Sequence, residues 1–142
     1  MEFFKRNRKK RGFTLIELVA VVAIIGILAA LLVPKISGYI TDAKKTKVID
    51  QARQVVTAVE TANTKYDTTI PAGTVSSLKG SSNKAAAAAW EYLSNGDTAA
   101  TAATLFPNLA AGTTIEDCKN IIEYNNFTID KNTGVVDNVS TS

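Results

Sequence analysis

Residues 13–33 read FTLIELVAVVAIIGILAALLV, an apolar run from Phe13 to Val33 in which Glu17 is the only ionisable side chain. At 1.5 Å per residue the run makes roughly 31 Å of helix, about one hydrocarbon thickness of a bilayer. A carboxylate inside such a segment costs about 2.5–3.5 kcal/mol on insertion scales. Glu17 therefore needs either a partner or a route to the interface. Snorkelling from an ordinary membrane anchor is open to it, because it lies only five residues into the run.

Before the run stands Lys5-Arg6-Asn7-Arg8-Lys9-Lys10-Arg11-Gly12, in which every residue except Asn7 and Gly12 is basic. By the positive-inside rule this flank stays cytoplasmic and the carboxy-terminal part lies outside. The basic stretch closed by Gly12, then Phe13-Thr14-Leu15-Ile16-Glu17-Leu18, resembles the amino-terminal signature of type IV prepilins and pseudopilins. The match covers about the first fifty residues.

The resemblance implies a processing history. A prepilin peptidase cuts between Gly12 and Phe13 and methylates the new amine of Phe13. Unlike the apolar part of a secretory signal, residues 13–33 are retained. They first anchor the subunit and later form the core of a filament. The Phe13 ammonium lies four residues before Glu17, on the same helical face. In the membrane the two can pair within one chain; in a filament Glu17 can accept the ammonium of a neighbouring subunit. A buried charge pair is a weak stabiliser but a good register device, since misalignment leaves a charge uncompensated. Glu17 is thus expected to set assembly register. Gly26 and Pro34 also fit the pattern, and in related filaments the stretch between these two positions loses helical order. The expectation here is a continuous helix in the isolated subunit and local melting only in the filament.

Beyond Pro34 the pattern turns amphipathic. Ile36, Ile40, Ala43, Val48, Ala52, Val55, Val59, Ala62 and Tyr66 recur mostly at three- or four-residue spacing, as on one helix face. Lys44, Lys45 and Lys47 interrupt it and read as a solvated face. The helix is expected to end near Tyr66, ahead of Asp67, Pro71 and Gly73. No small domain needs a helix of roughly 80 Å. Its first half must find apolar surroundings in lipid and then in other copies of itself.

The remainder reads as a compact head. Thr74 to Asn83 suits a loop, and Asn83 suits an N-cap for a helix through Leu93 with Gly96 beyond its end. A short helix fits within Asp97–Phe106. Ile115–Tyr124 is open between strand and helix. Phe127–Lys131 and Val135–Val139 read as two strands around a turn at Asn132-Thr133-Gly134. A small antiparallel sheet packed on the Val48–Ala62 stripe is expected.

Composition narrows the function. The six basic residues and Glu2 give residues 1–12 a charge of +5, so the chain's +3 leaves −2 for residues 13–142. The overall charge gives no support to general nucleic-acid binding. Cys118 is the only cysteine, which rules out an intramolecular disulfide and departs from the pilins that close their carboxy-terminal region with one. It reads as a small buried residue. Histidine is absent, and no nucleophile elbow, phosphate-binding glycine loop or metal-spaced cysteine cluster is found, so an enzyme is not expected. Asp130, Asn132 and Asp137 faintly resemble a calcium loop, and some pseudopilins bind calcium in this region. The glycine comes one position early for an EF-hand and no bidentate Glu follows, so a hairpin turn is the preferred reading and no metal is assigned. Asn126-Phe127-Thr128 and Asn138-Val139-Ser140 match the glycosylation acceptor pattern, and are assigned to the tail's polarity.

The reading is therefore an α+β chain. Residues 1–12 are the leader, 13–33 the transmembrane and filament-core helix, 34–66 an amphipathic spine helix, and 67–142 the head. The expected function is the structural subunit of a type IV pilus, supporting adhesion, twitching motility or DNA uptake. A pseudopilin of a secretion or competence system is the alternative, and a membrane-anchored binding domain that never polymerises is the third. The expected partners are further copies of the chain, the prepilin peptidase, the membrane before assembly, and indirectly the assembly platform and its ATPases. No cofactor is expected. The location is the cytoplasmic membrane, then the cell surface.

Overall fold

A computed structural model describes residues 12–140. Helix α1 runs Leu15–Tyr66 and contains Pro34. By contact density the chain divides into a first unit ending at Gly38 and a second beginning at Tyr39.

In the first unit every described residue is exposed, including all of Phe13 to Val33. The helix here owes nothing to a protein core. It is carried by good helix formers such as Leu and Ala, and by a closed amino-terminal cap. Pro34 removes one backbone donor, yet α1 continues through it. Ser37 Oγ donates to the Val33 carbonyl at 3.4 Å, a back-bond of the kind that accompanies helix bends.

In the second unit α1 presents Val48, Ala52, Val55, Val59 and Ala62 as a buried stripe spaced four and three residues apart. Thr46, Thr61 and Thr64 lie on the exposed side and bond back to the carbonyls four residues earlier. The helix stops at Asp67, whose φ of 46° is left-handed, and Asn63 Oδ1 accepts the Ile70 amide at 2.9 Å just beyond. The end near Tyr66 is as expected.

The segment read as a loop after Thr74 instead contains a 3-10 turn, Val75–Leu78, with Val75 and Leu78 buried. The polar residues around them hide an i, i+3 apolar pair, which is the spacing such a turn aligns. Helix α2 is Lys84–Ser94; Asn83 Oδ1 accepts from the amides of Ala85 and Ala86, and Asn95 ends it in the left-handed region. Helix α3 is Ala102–Leu105. The ambiguous segment is helix α4, Ile115–Tyr124. Its start is fixed by reciprocal bonds between Thr114 and Asp117, the capping-box arrangement. Ile121 is buried and Ile122 half-buried, so the helical face explains the pair that also suited a strand.

Strands β1 (Phe127–Ile129) and β2 (Val136–Val139) form a two-stranded antiparallel sheet. Phe127 faces Val139, Thr128 faces Asn138, and Ile129 faces Val136, so Asp137 is the extra residue of a bulge. Both strands are shorter than the sequence reading. Among the described residues of the head, helix thus outweighs strand. The head's single core combines the α1 stripe with Leu78, Trp90, Phe106, Ile121, Phe127 and Val136. Long helix plus small antiparallel sheet is the α+β architecture expected from the sequence.

Candidate functional site

The candidate site is the beginning of α1. Thr14 precedes the helix, and Glu17 lies in its first turn. Glu17 Oε2 accepts the Thr14 backbone amide and the Thr14 hydroxyl, both at 2.8 Å. Thr14 Oγ1 in turn accepts the Glu17 amide at 3.3 Å. This is a capping box, satisfying backbone donors that a helix start otherwise leaves bare. It also gives the carboxylate hydrogen-bond donors within its own chain, which matters in hydrocarbon. Sequence reasoning passed over Thr14 and looked only to Phe13. The available signal was the Thr-x-x-Glu spacing itself.

Phe13 stands just outside the helix and is 91% exposed. Gly12 is likewise exposed, and a Cβ built on it would meet nothing within 4 Å. The same holds for Gly26 inside α1. Glycine costs a helix about 1 kcal/mol relative to alanine. Neither packing nor backbone conformation within the described chain demands glycine at either position. Pro34 is inside an unbroken helix. The first unit thus brings Gly12, Phe13 and Glu17 together at one helix end, with Gly26 and Pro34 farther along it. The one described helix long and apolar enough to cross a membrane is this one.

The three oxygen-bearing residues of the hairpin are differently arranged. Asp130 Oδ1 accepts the amides of Asn132 and Thr133 and the Thr133 hydroxyl, at 2.7–2.9 Å. The Lys131 and Asn132 carbonyls accept Lys44 Nζ at 2.6 and 2.9 Å. The turn's oxygens are thus engaged by donors from the chain, among them a tethered ammonium. Asp137 sits on the β2 bulge and is exposed. Among the described residues no group of three or more His, Cys, Asp or Glu side chains could hold a metal ion.

Lys44 was read as solvated; it is instead tied to a turn 87 residues away in sequence, a contact no local pattern announces. Lys45 Nζ lies 5.6 Å from the Phe127 ring centroid, so only Lys47 of the cluster is without such use. Hydrogen bonds from the Thr133 amide and hydroxyl, aided by the Asn132 amide and Lys44, hold the Asp130 carboxyl below its ordinary value of 3.8. A depressed folded-state value means the stabilisation is complete above the unfolded value and fades as pH falls through the folded one. The stability advantage of the unsubstituted protein over Asp130→Asn should accordingly shrink as thermal melts are taken below pH 3.8. A constant difference across that range would contradict it. Cys118 is fully buried, and burial, with Asp117 beside it, pushes its thiol up to about 12, so it is inert.

Comparison with known proteins agrees with this geometry. Residues 7–33 match the family described as the prokaryotic N-terminal methylation motif. The chain is 50% identical over 52 residues to the type IV major fimbrial protein FimA of Dichelobacter nodosus, covering 37% of this chain and 33% of that one. It is 44% identical over 55 residues to the fimbrial protein of Pseudomonas aeruginosa, covering 39% and 36%. It is also 37% identical over 67 residues to the type II secretion system core protein G of Klebsiella michiganensis, covering 45% and 47%. The motif and these relatives support a type IV pilin, as the resemblance implied. The chain spans about a third of the length of the fimbrial relatives it matches. No solved structure gives a significant match.

Proposed function

We propose that the chain is the structural subunit of a type IV pilus, cut between Gly12 and Phe13, methylated at Phe13, and polymerised through the first half of α1. The observation that supports it best is the juxtaposition at the helix start. A carboxylate in an entirely exposed apolar face lies one turn from the amide that cleavage would turn into an ammonium. In the membrane-held precursor Glu17 is satisfied by Thr14. Assembly exchanges those hydrogen bonds, whose donors are neutral, for the ammonium of an adjoining copy, which brings a compensating charge as well as donors. Cytoplasmic leader, membrane-held precursor and extracellular fibre follow from that order of events.

The glycines fit the same reading. Gly12 answers to the peptidase and Gly26 to the filament, where the stretch to Pro34 unwinds. Gly26→Ala should strengthen the helix in micelles by about 1 kcal/mol while lowering fibre yield, as seen by circular dichroism and by quantifying sheared fibres. Unchanged fibre yield would sever Gly26 from assembly.

Mass spectrometry of the mature amino terminus tests the proposal directly. A methylated Phe13 is the expected result, and an intact Met1 in the surface-exposed protein would overturn it. A second reading, a pseudopilin of a secretion system, is favoured by the longer alignment to the core protein G. Electron microscopy separates the two. Long surface fibres labelled by antibody to the head belong to the pilus, and their absence together with a secretion defect belongs to the pseudopilin.

A further inference from the structure

We propose that the groove between α1 and α2 receives a second copy of this chain, which inserts the Glu123–Tyr124 corner at the end of its α4. The inference rests on the filament reading and names the contact between heads that this sequence makes.

The groove comprises two adjoining hollows of about 440 and 450 Å³ that share Tyr92 as a wall. Arg53, Thr57, Thr61 and Lys65 recur every fourth residue along its α1 side, a single ridge of roughly 18 Å. Arg53 stands at one end and Lys65 at the other. Lys65 Nζ lies 5.6 Å from the Tyr66 ring and 5.9 Å from the Tyr92 ring, so its ammonium is steadied over two aromatic faces. Those rings are 41% and 55% exposed. Glu91 is the acidic side chain lining the groove, against two cations.

The corner has the opposite character. Glu123 lies in the last turn of α4, where the helix dipole disfavours an anion, and that turn holds no basic residue. Among the described residues nothing pairs with it. Tyr124 is 49% exposed, and left-handed Asn125 turns the chain away immediately after. An anion placed against its own helix dipole, beside an exposed ring, breaks a local rule with no ion pair to offset it among the described residues. Such violations concentrate at functional positions.

Charge distribution points to a like partner. Residues 34–66 carry six basic and three acidic side chains, net +3, whereas residues 67–142 carry four and eight, net −4. Yet the described residues contain one ion pair, Lys119–Glu116 at 3.8 Å. Lys44 is spent on the hairpin turn beside Asp130, while Arg53, Lys65 and Glu123 are left for contacts between molecules. A basic groove meeting an acidic corner elsewhere on the same chain is a heterologous contact, the kind that propagates into open helical filaments.

The test is a charge exchange in the full chain, read as sheared fibre per total subunit. Lys65→Glu and Glu123→Lys should each lower yield about tenfold, because like charges then face each other, and the double variant should recover most of it. Normal yields from the single variants, or a double variant no better than the worse single, would overturn the proposal. Normal fibres that lose a different surface partner would overturn the choice of a second copy. Because a reversed charge can disturb folding, a second variant, Lys65→Cys with Glu123→Cys, should give a ladder of disulfide-linked multimers in oxidised fibres. Monomers alone would count against the contact. Should the unsubstituted chain form no fibres at all, the filament reading itself falls, a result distinct from any of these.

Discussion

A subunit carrying Glu17→Val is expected to be cut and methylated normally, to accumulate in the membrane, and to yield essentially no fibres. Two effects act together. Valine removes a charge whose insertion costs about 2.5–3.5 kcal/mol, so the variant is held more firmly in lipid. In the proposed filament it also removes the acceptor for an incoming subunit's ammonium, and so the penalty for wrong register. The capping box complicates the interpretation, because Glu17 also closes the start of α1 through Thr14. Loss of a helix cap costs about 1 kcal/mol and would fray the helix end. Glu17→Gln separates the two roles. Glutamine can still close a capping box with Thr14 but cannot carry the charge. Electron microscopy of cells and mass spectrometry of the processed subunit read both variants. Fibre loss in Glu17→Gln assigns the effect to charge, while abundant fibres from it would move the role to the cap. Abundant fibres from Glu17→Val would remove Glu17 from assembly altogether.

Asn108→Ala is expected to be the most damaging polar substitution in the head, at about 2 kcal/mol, because two part-buried groups lose their partners. Asn108 Oδ1 accepts from Gln51 Nε2 at 3.1 Å, and Nδ2 donates to the Gly134 carbonyl at 3.1 Å. Its backbone amide donates to Gln51 Oε1 at 3.0 Å, and its carbonyl accepts the Val136 amide at 3.0 Å. One residue between α3 and α4 thereby ties the spine helix to the hairpin. Gly134 completes the clasp. Its φ is +75°, and a Cβ there would lie 3.1 Å from the Lys44 side chain and 3.3 Å from Asn108 Nδ2. For a head of this size the loss corresponds to a fall in Tm of about 8–16 °C. Gln51→Ala should behave alike, and the double variant should lose less than the sum, since both remove the same bond. Thermal melts of the full chain in detergent would show it; a shift under 2 °C for Asn108→Ala would mean that the clasp is ornamental.

The parts of this molecule that were legible in the sequence share a physical cause. The apolar run, the Val48–Ala62 stripe, the Asn83 cap and the paired strands are each local patterns, governed by interactions within a few residues. Glu17 was legible for a related reason, since one charge in an apolar run is conspicuous by solvation energy alone. Its local partner Thr14 is equally present, three residues away, at the spacing of a capping box. Helix α4 was ambiguous because paired isoleucines satisfy either period over a short span; the Thr114 and Asp117 side chains decide it by closing a capping box, at the same three-residue spacing as Thr14 and Glu17. The lysine cluster was misread for a deeper reason. Whether Lys44 faces water or a turn depends on where residues 131 and 132 are brought, and only the closed chain determines that.

The amino-acid sequence by itself determined the long apolar helix, its basic flank and the lone carboxylate, because hydropathy and charge act on each segment independently of the rest. Tertiary structure alone decided how the hairpin turn is held and where an acidic corner and a basic aromatic groove stand on the surface of the head. Those features join residues tens of positions apart, and their energies exist only once the backbone has closed those distances.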